Sequence, residues 1–174
     1  MSRCPDVTRF LNNQLMPFVK LFNTTEYNYK VPMTINYHPY ANLKRNKTGE
    51  TYFSCTHGKL ECSLNKLQGC VSKYMMANQV DILDTLTCIQ GKRTEETADT
   101  CVSNSYRANV IKCWKTEEGE TKINGMYWNN LRIAANQTWT PWIVINGIHS
   151  EEAESSFKKI VCESTSIKGS EQCK

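Results

Sequence analysis

Apolar residues near the start of the chain recur at spacings of three and four. Val7, Phe10, Leu11, Leu15, Phe18, Val19 and Phe22 form one stripe, which predicts a helix over 5–22. Pro5 suits its first turn, where a missing N–H costs nothing. Pro17 is expected to bend or weaken the middle. Asn23 to Asn28 is a polar break with turn chemistry. From Lys30 to Tyr37 the period changes to two: Val31, Met33, Ile35 and Tyr37 alternate with polar or small residues, which predicts a strand, and Pro32 puts an edge or a bulge in it. His38 to Gly49 reads as a polar loop, and Cys55 to Cys70 as a compact stretch dense in cysteine.

Helical spacing returns between Leu67 and Ile89, where Cys70, Tyr74, Met75, Asn78, Ile82, Leu86 and Ile89 share a stripe that Gly91 ends. Thr94–Asn104 and Ala108–Lys115 are shorter helical candidates, each carrying cysteine. Glu117–Ala135 contains Asn124-Gly125 and is expected to split there into a turn and a helix over Met126–Ala135. Trp142–Ile145, bounded by Pro141 and Asn146-Gly147, reads as a strand entering a tight hairpin. Ser150 is the expected N-cap of a last helix, with Glu151, Glu152 and Glu154 in its first turns and Phe157, Ile160 and Val161 on the buried face. Strands are few and far apart, which fits a small mixed α/β sheet interrupted by a large insertion.

Composition narrows the class. The 174 residues suit one domain. Leu, Ile, Val and Phe together make only about a fifth of the chain, so apolar burial is a thin source of stability. The nine cysteines are the obvious supplement. Acidic and basic residues are mixed along the chain and leave a net charge of +4, too mild to argue for nucleic acid. No apolar run is long enough to span a bilayer. Sequons at Asn23, Asn46 and Asn136 turn the cysteines toward disulfides and an oxidising compartment, with the asparagines as glycosylation candidates. The chain opens on polar sequence without a signal peptide, so processing is expected under that reading. An odd cysteine count leaves one sulfur over.

Cys55-Thr56-His57-Gly58-Lys59-Leu60-Glu61-Cys62-Ser63-Leu64-Asn65-Lys66-Leu67-Gln68-Gly69-Cys70 has the form C-x-H-G-x-x-E-C-x-x-N-x(4)-C. This resembles the signature of the γ-interferon-inducible lysosomal thiol reductase (GILT) family. Arg9-Phe10 with Gln14-Leu15-Met16-Pro17 looks like the helix that follows that family's active site. Thr140-Pro141-Trp142-Ile143-Val144-Ile145-Asn146-Gly147 is similar to its P-W-x-x-x-N-G segment, and Cys162 and Cys173 have family-like spacing. The resemblance implies a single domain over 1–174 in the α/β class. Its thioredoxin-like core would use 4–40 and 139–163, interrupted by a helical, disulfide-rich insertion over about 41–138. It also implies a glycoprotein that is secreted or lysosomal, with no cofactor and no metal. His57, Gly58, Glu61 and Asn65 are expected to shape the signature's turn. A zinc site from Cys55, His57, Cys62 and Cys70 is the alternative, and its spacing fits no usual zinc pattern.

The family's active site is C-x-x-C at the start of the first helix. One sulfur, held as thiolate at the helix N-terminus, attacks a substrate disulfide, and the second resolves the mixed disulfide. Here those positions read Cys4-Pro5-Asp6-Val7. Val7 has no nucleophilic atom, so efficient dithiol reduction is expected to be lost, and Asp6 disfavours a thiolate at Cys4. The remaining cysteines, Cys55, Cys62, Cys70, Cys88, Cys101, Cys113, Cys162 and Cys173, can pair among themselves, with Cys162–Cys173 the expected local bridge. Only Met1, Ser2 and Arg3 precede Cys4, so the first strand of a thioredoxin-like sheet is expected to be absent or trimmed. The resemblance makes Thr140–Pro141 a cis bond whose backbone docks an extended polypeptide or protein partner, with Trp142 and Trp139 lining it. The protein is therefore expected to act by binding. The alternative is a one-cysteine thiol reductase or transferase that uses Cys4 with an external thiol. A cysteine-rich structural module explains the disulfides but not the signature. Only His38, His57 and His149 supply imidazole, no other catalytic motif occurs, and Lys44-Arg45-Asn46-Lys47 reads as a solvated loop.

Overall fold

The apolar stripe of the first segment folds as expected, with a distortion where proline demands one. In the computed structural model, which describes residues 1–22, 32–40, 42–164 and 166–174, α1 (Pro5–Phe10), a π-helical turn (Leu11–Leu15) and α2 (Met16–Lys20) run end to end. Pro17 has no N–H to donate, and its ring would crowd the preceding turn. The helix answers by widening: the Met16 N–H reaches back to the Leu11 carbonyl, five residues away. All seven stripe residues are buried. Phe10 and Phe18 meet Phe157 edge-to-face at 5.4 and 5.7 Å, which seats the last helix, α8 (Phe157–Ser164), on the first. Burying a ring of that size is worth about 1.5–3 kcal/mol.

The alternation at Lys30–Tyr37 does not produce a strand among the described residues. Lys30 and Val31 lie outside them, and 32–37 is irregular. The backbone there is satisfied by a side chain instead: Gln79 accepts from the Ile35 N–H and donates to the Met33 carbonyl, both at 2.9 Å. The expected polar loop at His38–Gly49 instead contains β1 (Asn42–Arg45), which pairs antiparallel with β2 (Thr51–Ser54). An Asx turn closes that hairpin, with Asn46 Oδ1 accepting from the N–H groups of Thr48 and Glu50.

The cysteine-dense stretch is itself helical. Gly58, at φ +86°, is the N-cap of α3 (Lys59–Tyr74), a backbone geometry that excludes most side chains. The stripe that runs on to Ile89 is broken at Met75–Asn78. Asn78 accepts from the Asp81 N–H and starts α4 (Gln79–Ile89). Next come α5 (Glu95–Asp99), capped by Thr94, and α6 (Asn104–Lys115). The last helix of this group, α7 (Glu117–Ile133), continues unbroken through Asn124-Gly125. Helix α3 lies at the centre of this group, packed on α4, α6 and α7.

The hairpin predicted at Asn146-Gly147 joins β3 (Val144–Ile145) to β4 (Ile148–His149), with both turn residues at positive φ. Ser150 caps a short 3₁₀ turn (Glu152–Glu154) through its hydroxyl, and α8 begins only at Phe157. The described residues are therefore mostly helical, with two small antiparallel sheets and four disulfides: Cys55–Cys62, Cys70–Cys113, Cys88–Cys101 and Cys162–Cys173. No described helix is long and apolar enough to cross a membrane.

Candidate functional site

Cys4 is the free cysteine of the chain and occupies the N-cap of α1. Its carbonyl accepts from the N–H and hydroxyl of Thr8, at 3.0 and 2.9 Å, which opens the helix. The residue is only 7% exposed. The chain returns to it from far away. Thr140 Oγ1 donates to Cys4 Sγ at 3.4 Å, and the Thr140–Pro141 bond is cis. Val7, one turn along α1, is buried in the apolar core. The structure thus brings together Cys4, Val7 and Thr140–Pro141.

Trp142 stacks on His149 with ring centroids 3.5 Å apart and planes 6° from parallel. Trp139 meets Trp142 edge-on at 4.7 Å and donates from Nε1 to Glu154 at 2.5 Å. The hairpin beyond them leaves Ile148 72% exposed. An aromatic and aliphatic ridge therefore continues from the cis-proline segment.

Sequence reasoning placed the signature residues in a turn of their own. Their reach is longer. Glu61 is fully buried, and its carboxylate accepts from the His57 N–H at 3.0 Å, from His57 Nδ1 at 2.9 Å and from the Arg3 N–H at 3.2 Å. Asn65, also fully buried, accepts from the Ser2 N–H at 2.8 Å and donates to the Tyr40 carbonyl at 2.8 Å. Gln68 follows on the same face of α3. It accepts from the Tyr37 hydroxyl and donates to Gln90, which donates in turn to the Met1 and Cys4 carbonyls. Burial pushes the Tyr37 phenol far above its ordinary range, so it stays a neutral donor. Gln68 and Gln90 are the residues sequence reading missed. The available signal was the spacing of Glu61, Asn65 and Gln68, a polar stripe on one side of a helix.

Three of the four residues weighed as zinc ligands, Cys55, Cys62 and Cys70, are held in disulfides, which leaves no thiolates there. Asn46 and Asn136 are exposed, and Asn23 lies outside the described residues.

The family model described as gamma interferon inducible lysosomal thiol reductase (GILT) matches residues 1–105, which include Cys4, Val7 and the whole signature. The chain belongs to the GILT family. A GILT-like protein of Caenorhabditis elegans is 27% identical over 170 residues, covering 93% of this chain and 75% of the relative. A GILT-like protein of Caenorhabditis briggsae is also 27% identical, over 93% of this chain and 74% of its own. The gamma-interferon-inducible lysosomal thiol reductase of Carassius auratus is 26% identical over 172 residues, or 92% of this chain and 64% of its own. In this GILT-family chain Cys4 stands at the N-cap of the first helix.

Proposed function

We propose that this GILT-family chain has a thioredoxin-like core in which dithiol exchange is interrupted, and that it acts by binding an extended polypeptide along the cis Thr140–Pro141 segment. One observation carries the reading: Val7 stands where the resolving thiol is needed, while the other eight cysteines are joined in pairs. In a complete cycle the first thiolate attacks a substrate disulfide, forms a mixed disulfide and releases one substrate thiol. A second thiol on the same turn then attacks the first sulfur and releases the other half. With a valine there, the cycle stops at the mixed disulfide. Support for the core is the meeting of the α1 N-cap with the cis-proline segment, and support for docking is the aromatic and aliphatic ridge beside it. The disulfides and the exposed sequon residues Asn46 and Asn136 favour an oxidising compartment, lysosomal or extracellular.

A second reading has an observation of its own. Cys4 Sγ accepts a hydrogen bond from Thr140 Oγ1, which holds the sulfur beside the cis Thr140–Pro141 segment. In that reading Cys4 forms the mixed disulfide and an external thiol resolves it. Incubating the protein with a disulfide-bonded polypeptide and glutathione, at mildly acidic and at neutral pH, separates the two. Turnover no faster than that of a Cys4→Ser variant is expected. Turnover well above that control, with a mixed disulfide trapped on a non-reducing gel, would replace the binding reading with the one-thiol reading.

A further inference from the structure

The signature residues act at a distance from their own turn. Two main-chain N–H groups just ahead of Cys4 are taken by them: Ser2 by Asn65, 63 residues away, and Arg3 by Glu61, 58 residues away. The Ser2 hydroxyl donates to the Glu61 carbonyl at 3.1 Å, and Arg3 Nη1 donates to the His57 carbonyl at 3.3 Å. Ser2, Glu61 and Asn65 are all fully buried. A buried carboxylate accepts and never donates, so it needs several donors, and here they are His57 Nδ1, the His57 N–H and the Arg3 N–H. The Asn65 amide is committed on both sides: its oxygen faces Ser2, and its nitrogen faces the Tyr40 carbonyl and, at 3.7 Å, Cys55 Sγ. A role confined to starting α3 would use the loop's own N–H groups, and only the His57 N–H contact does so.

We propose that His57, Glu61 and Asn65 are positioning residues for the Cys4 thiol. They clasp the backbone of Ser2 and Arg3 and so hold Cys4 shut against Thr140. The clasp deepens the reading of Cys4 as the reacting thiol. It gives these residues of the signature a task at a cysteine more than fifty positions away. With the clasp intact, the sulfur is reached only when this segment opens. Loosening the clasp raises the open population and lets a thiol reagent in.

The test is the rate at which iodoacetamide alkylates Cys4 in the folded protein, mapped by mass spectrometry over a pH series. The series separates a change of access from a change of thiolate fraction. Asn65→Ala and Glu61→Gln each remove acceptors from the clasp. His57→Ala removes the Nδ1 donor at a partly exposed position and is expected to fold. His57→Asn keeps a donor nitrogen close to the place of Nδ1. Losing one hydrogen bond to a buried charged group is expected to speed alkylation about ten- to a hundredfold, in His57→Ala and not in His57→Asn. Leu83→Ala, which hollows the core at α4 without touching the clasp, controls for general loosening. Equal acceleration in Leu83→Ala, equal behaviour of the two His57 variants, or no acceleration in any clasp variant would overturn the proposal. Turnover does not enter this readout. A working reductase would therefore sink the proposed function and leave the clasp standing.

Discussion

Val7 is 5% exposed and sits one helical turn beyond Cys4, so its side chain belongs to the core, while under the proposed function its position is that of the resolving thiol. Positions three apart on a helix bring their β-carbons to about 5–6 Å, within reach of a slightly adjusted disulfide. Val7→Cys therefore supplies the missing resolving thiol at a modest packing cost, about 1 kcal/mol for the lost methyl volume. The expected result is a gain of disulfide reductase turnover over the unmodified chain, absent in Val7→Ser, with the new sulfur and Cys4 bonded after oxidation. A variant that forms this bond and cycles it, yet turns over no faster than the parent, shows that something other than the resolving sulfur limits the chemistry. The burial of Cys4 behind Thr140 is the next suspect.

Helix α7 shows how packing overrides a local signal. Asn124-Gly125 predicts a turn, yet Ile123, Met126 and Asn130 are buried on one side, and Asn130 donates to the Pro39 carbonyl at 3.3 Å. That face holds the helix through its weak point. Gly125 has open space where a side chain would go and lacks a positive φ, so its only role in the helix is to cost backbone entropy. Gly125→Ala should stabilise the fold by about 0.5–1 kcal/mol, raising the thermal midpoint by about 1–4 °C. Gly119, in the first turn of the same helix, is the opposite. A Cβ there would stand 2.9 Å from the Cys113 carbonyl and 3.3 Å from that of Trp114. Gly119→Ala should destabilise by about 1–3 kcal/mol, because backbone atoms cannot move aside cheaply. Thermal melts of the pair check both signs at once. The same logic sorts what could be read from sequence. The stripe of the first helix and the Asn146-Gly147 hairpin are local patterns and were legible. The β1–β2 hairpin was hidden because its strands, Asn42–Arg45 and Thr51–Ser54, are mostly polar, and the break at Asn78 because the apolar spacing continues across it. The cis Thr140–Pro141 bond beside Cys4 was legible from its motif. The grip of Glu61 and Asn65 on Arg3 and Ser2 was not, since a contact across about sixty residues leaves no periodic trace.

At the scale of the whole molecule, charge is spread through ion pairs that are mostly exposed, such as Lys20–Asp84 and Arg9–Asp6, and these contribute little to stability. The acid response therefore falls on buried titrating groups. His38 lies in the 32–40 segment, and its Nδ1 is buried with no hydrogen-bond partner among the described residues. Burial first, and the nearby Lys122 second, hold its pKa below the ordinary imidazole range. Folding thus favours the neutral ring. Its contribution is present above the unfolded value of about 6.5 and is lost as pH falls through the lower folded value. Glu95, lowered by its hydrogen bonds to Lys115 and Ser63, acts in the same direction, but only below the ordinary carboxylate range. Between about pH 7 and about pH 5 the loss should follow His38 together with the Met1 amine, whose pKa burial lowers to about 6. The urea midpoint of the parent is expected to drop over that interval, while that of His38→Phe drops less, because only the Met1 amine is left to take up a buried charge. Parallel slopes in the two proteins would move the acid sensitivity away from His38. A flat response in both would mean that the 32–40 segment opens at no cost when the ring protonates, which would set the stability of this region apart from that of the disulfide-tied helices around α3.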